Sequence, residues 1–222
     1  MYKEYTLEQL VKSKKISQNY LNKTKDGENY INYGQEVFTY AIMRMPATFS
    51  ALSFALEKSL PLLNNGINSV IDIGSGTGSS IIACKELISS KISIFCIEKS
   101  SEMIDFSKKI INKDNVNFVN ENFLNTHINI KADLVIASYV FNEFNDIEKR
   151  VALNKIIDCA NNYIMIVEPG TPESYKQMMI IREYLIREGF NVVAPCPHQG
   201  KCPLTKDDWC HFVTRVSRSR LH

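Results

Sequence analysis

From residue 68 to about residue 195 the chain alternates short β-branched runs with helical stretches, and this alternation restricts the fold more than any other feature. "SVIDIGSG", "ISIFCIE", "VNFVNENF", "ADLVIASYV" and "YIMIVEPG" are each bounded by turn or helix signals, and "FNVVAP" makes a sixth candidate strand. Between several of them lie helical stretches such as "SSEMIDFSKKIINK", "EKRVALNKIIDCA" and "PESYKQMMIIREYLIREG". Continuous apolar runs suit strands buried on both faces. The pattern therefore predicts an α/β chain with a mostly parallel, doubly wound, Rossmann-like sheet covered by helices on both sides.

The flanks read differently. Residues 1–62 are expected to form a helical extension, apart from a polar loop at "NKTKDGENYINYG". In "PATFSALSFALEKSLPLL", Phe49, Leu52, Ala55, Leu56 and Leu60 fall on one helical face, and Pro46 suits a first turn. The core is expected over 63–195, with a Cys-rich loop and basic tail over 196–222 packed on it. A net charge of +2 gives no bulk argument for nucleic acid. No run approaches the roughly 18 apolar residues that a bilayer span needs, so no membrane partner is expected. The first residues, "MYKEYTLEQLVKSKK", contain acids and no continuous apolar stretch, which argues against a secretory or transit segment and for a cytoplasmic protein, expected as a monomer although the sequence does not fix its oligomeric state.

"VIDIGSGTG" carries the first chemical signal. Gly74, Ser75, Gly76 and Gly78 follow a strand and run straight into the helix "SSIIACKEL". Glycines permit a sharp turn and a close backbone approach to a ligand. The G-x-G-x-G spacing is not the dinucleotide fingerprint, and Asp72 before it would repel a pyrophosphate. An acid there suits the zwitterionic tail of S-adenosylmethionine, which carries no phosphate. Glu98, ending "FCIE", is placed to take the ribose hydroxyls, and Asn122 to reach the adenine edge. A nicotinamide-linked oxidoreductase is the disfavoured alternative. After the fourth strand, "SYVFNEF" lacks the motifs that grip an exocyclic amine or attack a pyrimidine, so no catalytic base is named. Asn142 and Glu143 are the candidates for touching an acceptor.

Six cysteines divide into two groups. Cys84, Cys96 and Cys159 sit on apolar or helical runs and read as core thiols. Cys196, Cys202 and Cys210 follow a C-x5-C-x7-C spacing in a proline-restricted loop, where soft sulfur ligands suit zinc or an iron–sulfur cluster. His198 or His211 could complete a Cys3His zinc site. Arg215, Arg218 and Arg220 follow and are expected to contact RNA phosphates.

"YAIMRMPATFSAL", "VIDIGSGTGS", "IVEPGTPESYKQMMIIREYL" and "VVAPCPHQGKCPLTKDDWCHFVTRVSRSRL" together resemble the Rsm22 family. The resemblance implies a class I methyltransferase-like fold and a role with the small ribosomal subunit and its rRNA. It further implies a 4Fe-4S cluster, with Cys196, Cys202 and Cys210 matching three of its four cysteine positions. The fourth contact would come from His198, a distant cysteine or a non-protein ligand. Two functions follow as expectations: methyl transfer to ribosomal RNA or protein, or a non-catalytic, cluster-bearing assembly factor that binds rRNA.

Overall fold

A computed structural model describes residues 34–204 and 208–216. A long helix, α1 (Gly34–Ser59), precedes an alternating series: β1 (Ser69–Ile73), α2 (Ser79–Leu87), β2 (Ser93–Glu98), α3 (Ser101–Ile110), β3 (Val116–Asn120), β4 (Ala132–Ser138), α4 (Asp146–Cys159), β5 (Ala160–Val167) and α5 (Pro172–Arg187). The five strands pair in parallel in the order β3-β2-β1-β4-β5. The chain thus turns back at β1, and the carboxyl ends of β1 and β4 flank the point where a doubly wound sheet opens a crevice.

Alternation along the strands builds two cores. Val70, Ile94, Cys96, Leu134 and Ile136 face α1 and α2, meeting Leu52, Leu56 and Ile81. Ile71, Ile73, Ile97, Val135 and Ala137 face α4 and α5, meeting Leu153, Ile156 and Ile181. Two-faced burial is what the apolar runs required. The same alternation points Asp72 toward α2, between the apolar neighbours Ile71 and Ile73. Cys84, Cys96 and Cys159 are buried, as expected for core thiols.

Three local expectations change. Pro46 lies inside α1 rather than at its first turn; its missing N–H removes one helical bond, and packing of the flanking Val37, Leu52 and Leu56 holds the helix through it. The loop foreseen up to residue 34 reaches the first residue of α1, and the rest of it lies outside the described residues. The run "FNVVAP" forms no strand. Its backbone is satisfied elsewhere: Val192 N–H donates to Gln199 Oε1 at 2.7 Å, and Gln199 Nε2 returns a bond to Val192 O at 3.2 Å. Among the described residues, no helix is long and apolar enough to cross a membrane.

Candidate functional site

The crevice at the sheet's turning point is a cleft of about 490 Å³ lined by Gly74, Ser75, Gly76, Glu98, Asn122 and Tyr139, with Tyr40 and Thr48 of α1 forming one wall. This volume lies within the range of small-ligand sites. The three glycines of this loop all have positive φ, at +66, +52 and +90 for Gly74, Gly76 and Gly78, and the first two line the cleft. They serve different ends. A Cβ at Gly74 would lie 2.7 Å from Val140 Cγ2, and one at Gly78 would lie 2.5 Å from Ser107 Oγ. Those two glycines let the loop pack against Val140, just after β4, and against α3. At Gly76 the nearest atom is Gly74 O at 3.9 Å, so the side a Cβ would fill is open.

Glu98 clamps this loop. Its Oε2 accepts the Gly76 N–H and its Oε1 the Ser100 N–H, each at 2.9 Å. Burial raises its pKa, and the two backbone donors oppose that rise. Asn122 lies after β3 with its Oδ1 accepting the Leu124 N–H at 3.0 Å. That turn is held from α4, where the Lys155 ammonium donates to the Phe123 and Thr126 carbonyls.

Asp72 stands apart from its expected role. It is fully buried, bonded to the Ser80 hydroxyl in the first turn of α2, and it does not line the cleft. Its Oδ1 has no hydrogen-bond partner among the described residues. Burial pushes its pKa up to about 7 despite the Ser80 bond, with Glu98 adding to the rise. Ser80, which does line the cleft, stands between Asp72 and any ligand.

The segment after β4 holds what sequence reading missed. Tyr139 adopts φ +58, a left-handed backbone rare for a bulky residue. Glu168, just past β5, accepts the Phe141 N–H at 2.9 Å and the Asn142 amide. Burial raises its pKa to about 7 against the Phe141 and Val140 backbone donors. Asn142 also receives the Ser174 hydroxyl at 3.3 Å, so it serves this network rather than the cleft. Glu143 does line the cleft, paired with Lys99 at 3.1 Å. An acid closing the strand in "IVEPG" was the available signal for Glu168, the same one that marked Glu98. The backbone strain at Tyr139 leaves no trace in composition.

The cysteine segment folds back on the core. Cys202 Sγ lies 3.3 Å from the Tyr175 hydroxyl, and Arg182 donates to the His198 and Gly200 carbonyls at 2.9 Å. The Trp209 indole donates to Gly170 O at 3.1 Å and stacks on His211. Burial raises the Cys210 pKa, with Cys196, Cys202 and Asp208 adding to the rise. Among the described residues no group of three or more His, Cys, Asp or Glu side chains could hold a metal ion, so the expected metal centre, His198 included, is not assembled. Arg215 is exposed, while Arg218 and Arg220 lie outside the described residues.

The family model described as mitochondrial small ribosomal subunit Rsm22 matches residues 34–222. The chain belongs to the Rsm22 family. The human mitochondrial ribosome assembly protein METTL17 is 23% identical over 195 residues, covering 78% of this chain and 42% of that protein. The mitochondrial Rsm22-cox11 tandem protein 2 of Schizosaccharomyces pombe is 24% identical over 198 residues, covering 76% of this chain and 26% of its own length. The chain thus spans less than half the length of these curated relatives. Among solved structures, the plantazolicin methyltransferase BpumL in complex with SAH superposes with a TM-score of 0.51 at 16% identity, over 77% of this chain and 66% of that one. A Methanococcus maripaludis protein assigned as an S-adenosyl-L-methionine-dependent methyltransferase gives 0.51 at 20% identity, over 73% and 75%. Likeness at this level shows the shared class I methyltransferase fold. The relatives also correct the cytoplasmic expectation: Rsm22 family members are named as mitochondrial proteins. Charge along the first residues speaks only of that segment's own affinity for a membrane or receptor, and family membership outweighs it.

Proposed function

We propose that this Rsm22 family chain binds S-adenosylmethionine in the cleft and acts as a methyltransferase-like factor of the small ribosomal subunit, in the mitochondrial setting of its relatives. The observation that carries the cofactor half is Gly76, a positive-φ glycine that lines the cleft and where the space a Cβ would fill is open. The residues fit the group. Glu98 offers buried carboxylate lone pairs beside Gly76, the Asn122 turn is fixed at the far wall, and the unpartnered Asp72 Oδ1 leaves capacity to polarise Ser80 or an intervening water. The cofactor, when bound, supplies an electrophilic methyl group. The chain's own part is to hold it still and exclude water with α1. Calorimetric titration with S-adenosylmethionine and SAH tests this reading. Wild type should bind both, and Gly76→Val should abolish binding, because its side chain fills the open side of the loop. Equal affinity in wild type and variant would refute the assignment.

A second reading, a non-catalytic assembly factor that binds rRNA, draws on the cysteine segment. Cys196, Cys202 and Cys210 lie on one segment fixed by Tyr175, Arg182 and Gly170. A 4Fe-4S cluster or zinc would have to draw Cys196, Cys202 and Cys210 together, and its binding energy would become ordering energy for the loop. Anaerobically purified protein should contain iron with sulfide, or zinc, and Cys202→Ser should lose it. Metal-free protein whose loop is cleaved by protease at the same rate in wild type and Cys202→Ser would remove the cluster from the proposal.

A further inference from the structure

The cleft carries a charge that its cofactor half does not explain. Four carboxylates line it against one ammonium, Lys99: Glu98 clamps the glycine loop, while Glu121, Glu143, which engages Lys99 at 3.1 Å, and Glu148, whose Oε2 accepts the Asn145 N–H at 2.8 Å, add charge beyond it. Glu98 and Glu121 close β2 and follow β3. Glu143 and Glu148 stand on the β4 side, where Tyr139 and Phe144 provide aromatic walls. Tyr139 is built into place. Its φ of +58 is strained for a bulky side chain, and it is held by its N–H bond to Val167 O at 2.8 Å and by the bonds of the next residues to Glu168. Tyr139 is half-buried and lines the cleft. Arg44 on α1 is close enough to draw the Tyr139 phenol down, against burial and Glu168, but does not itself line the cleft.

We propose that the β4 side of the cleft is a site for an aliphatic ammonium: a lysine side chain or the amino terminus of a protein. Aromatic faces attract such a cation, and carboxylates in a recessed, low-dielectric cleft concentrate it. The same field repels phosphate, so a nucleic-acid strand is disfavoured at this mouth and any RNA contact falls on other surfaces of the chain. The assignment rests on the cofactor reading of the glycine loop and names the class of ligand the remaining half accepts.

The test uses SAH-saturated protein, so that an added cation meets the β4 side alone. Butylammonium and tetramethylammonium are titrated against backbone amide resonances, beside 3,3-dimethylbutan-1-ol as a neutral analogue of similar shape and a short single-stranded RNA. The ammonium ions should move the signals of Tyr139 to Phe144 and bind about tenfold more tightly than the neutral alcohol. Tyr139→Phe should keep that preference and Tyr139→Leu should lose it. Glu143→Gln should weaken ammonium binding with no gain for the alcohol. Equal binding of ammonium and alcohol, no ammonium binding at all, or displacement by the RNA from these same residues would overturn the proposal. SAH affinity is measured separately on wild type. If SAH does not bind, the cofactor reading fails, and the ammonium titration repeated on ligand-free protein still decides this site.

Discussion

Asp72 shows how a residue can match a motif and still act indirectly. Its carboxyl is buried behind Ser80, with a folded pKa of about 7 against an ordinary 3.8. Between those values the folded chain keeps a proton that the unfolded chain has released. Stability therefore falls as pH rises from about 4 to about 7 and levels off above. From pH 5 to pH 8 this single group should cost about 2–3 kcal/mol, because pH 5 lies two units below its folded pKa. Asp72→Asn keeps an acceptor for Ser80 and removes the titration. Urea unfolding should show wild type losing stability across that window and the variant losing less, with Glu168 accounting for a remaining fall. Identical slopes in the two proteins would mean that Asp72 is ionised throughout. The motif was legible because acid, glycine spacing and strand context coincide in nine residues. Its screening by Ser80 was not, since it depends on which face of β1 receives α2.

At the scale of elements, the β4–α4 connection is held from a neighbouring strand. Glu168 accepts from Phe141 and Asn142, and Val140 beside them packs against the glycine loop at Gly74. Glu168→Ala would leave those donors unpaired in a partly buried turn, costing about 2–4 kcal/mol. SAH affinity should fall as well, because Val140 is freed to move away from Gly74. Chemical denaturation and calorimetry on the same variant measure both. A loss of stability with unchanged affinity would show that turn and glycine loop are uncoupled. Strands β2 and β4 were readable because burial on both faces leaves unbroken apolar runs, and the partly exposed β3 and β5 because turn or helix signals bound them. "FNVVAP" has the same composition but lacks a place in the ladder, its Val192 groups being taken by Gln199. Local sequence does not distinguish those two fates.

For the whole molecule, the Rsm22 match unites a cofactor-type cleft with a cysteine segment that ends in basic residues. If the exposed Arg215 contacts rRNA phosphates, Arg215→Ala should lower the slope of log affinity against log salt by close to one unit on small-subunit RNA. An unchanged slope would assign RNA contact to other residues. Motif spacing made the family legible, whereas cellular location was not, because no packing force in the fold encodes it.

No residue separates α4 from β5: Cys159 closes the helix and Ala160 opens the strand. The helix hands its phase straight to the strand, and the slack lies one step further on, where β5 carries one extra residue against β4 between Ala160 and Tyr163. A residue inserted at the joint must enlarge that bulge, turn the helix by about 100° or swap the two faces of the strand. Turning the helix would pull Leu153 and Ile156 off the sheet; swapping the faces would carry Glu168 to the wrong side of its turn. Only the bulge lets this joint grow with the wall of the cleft intact.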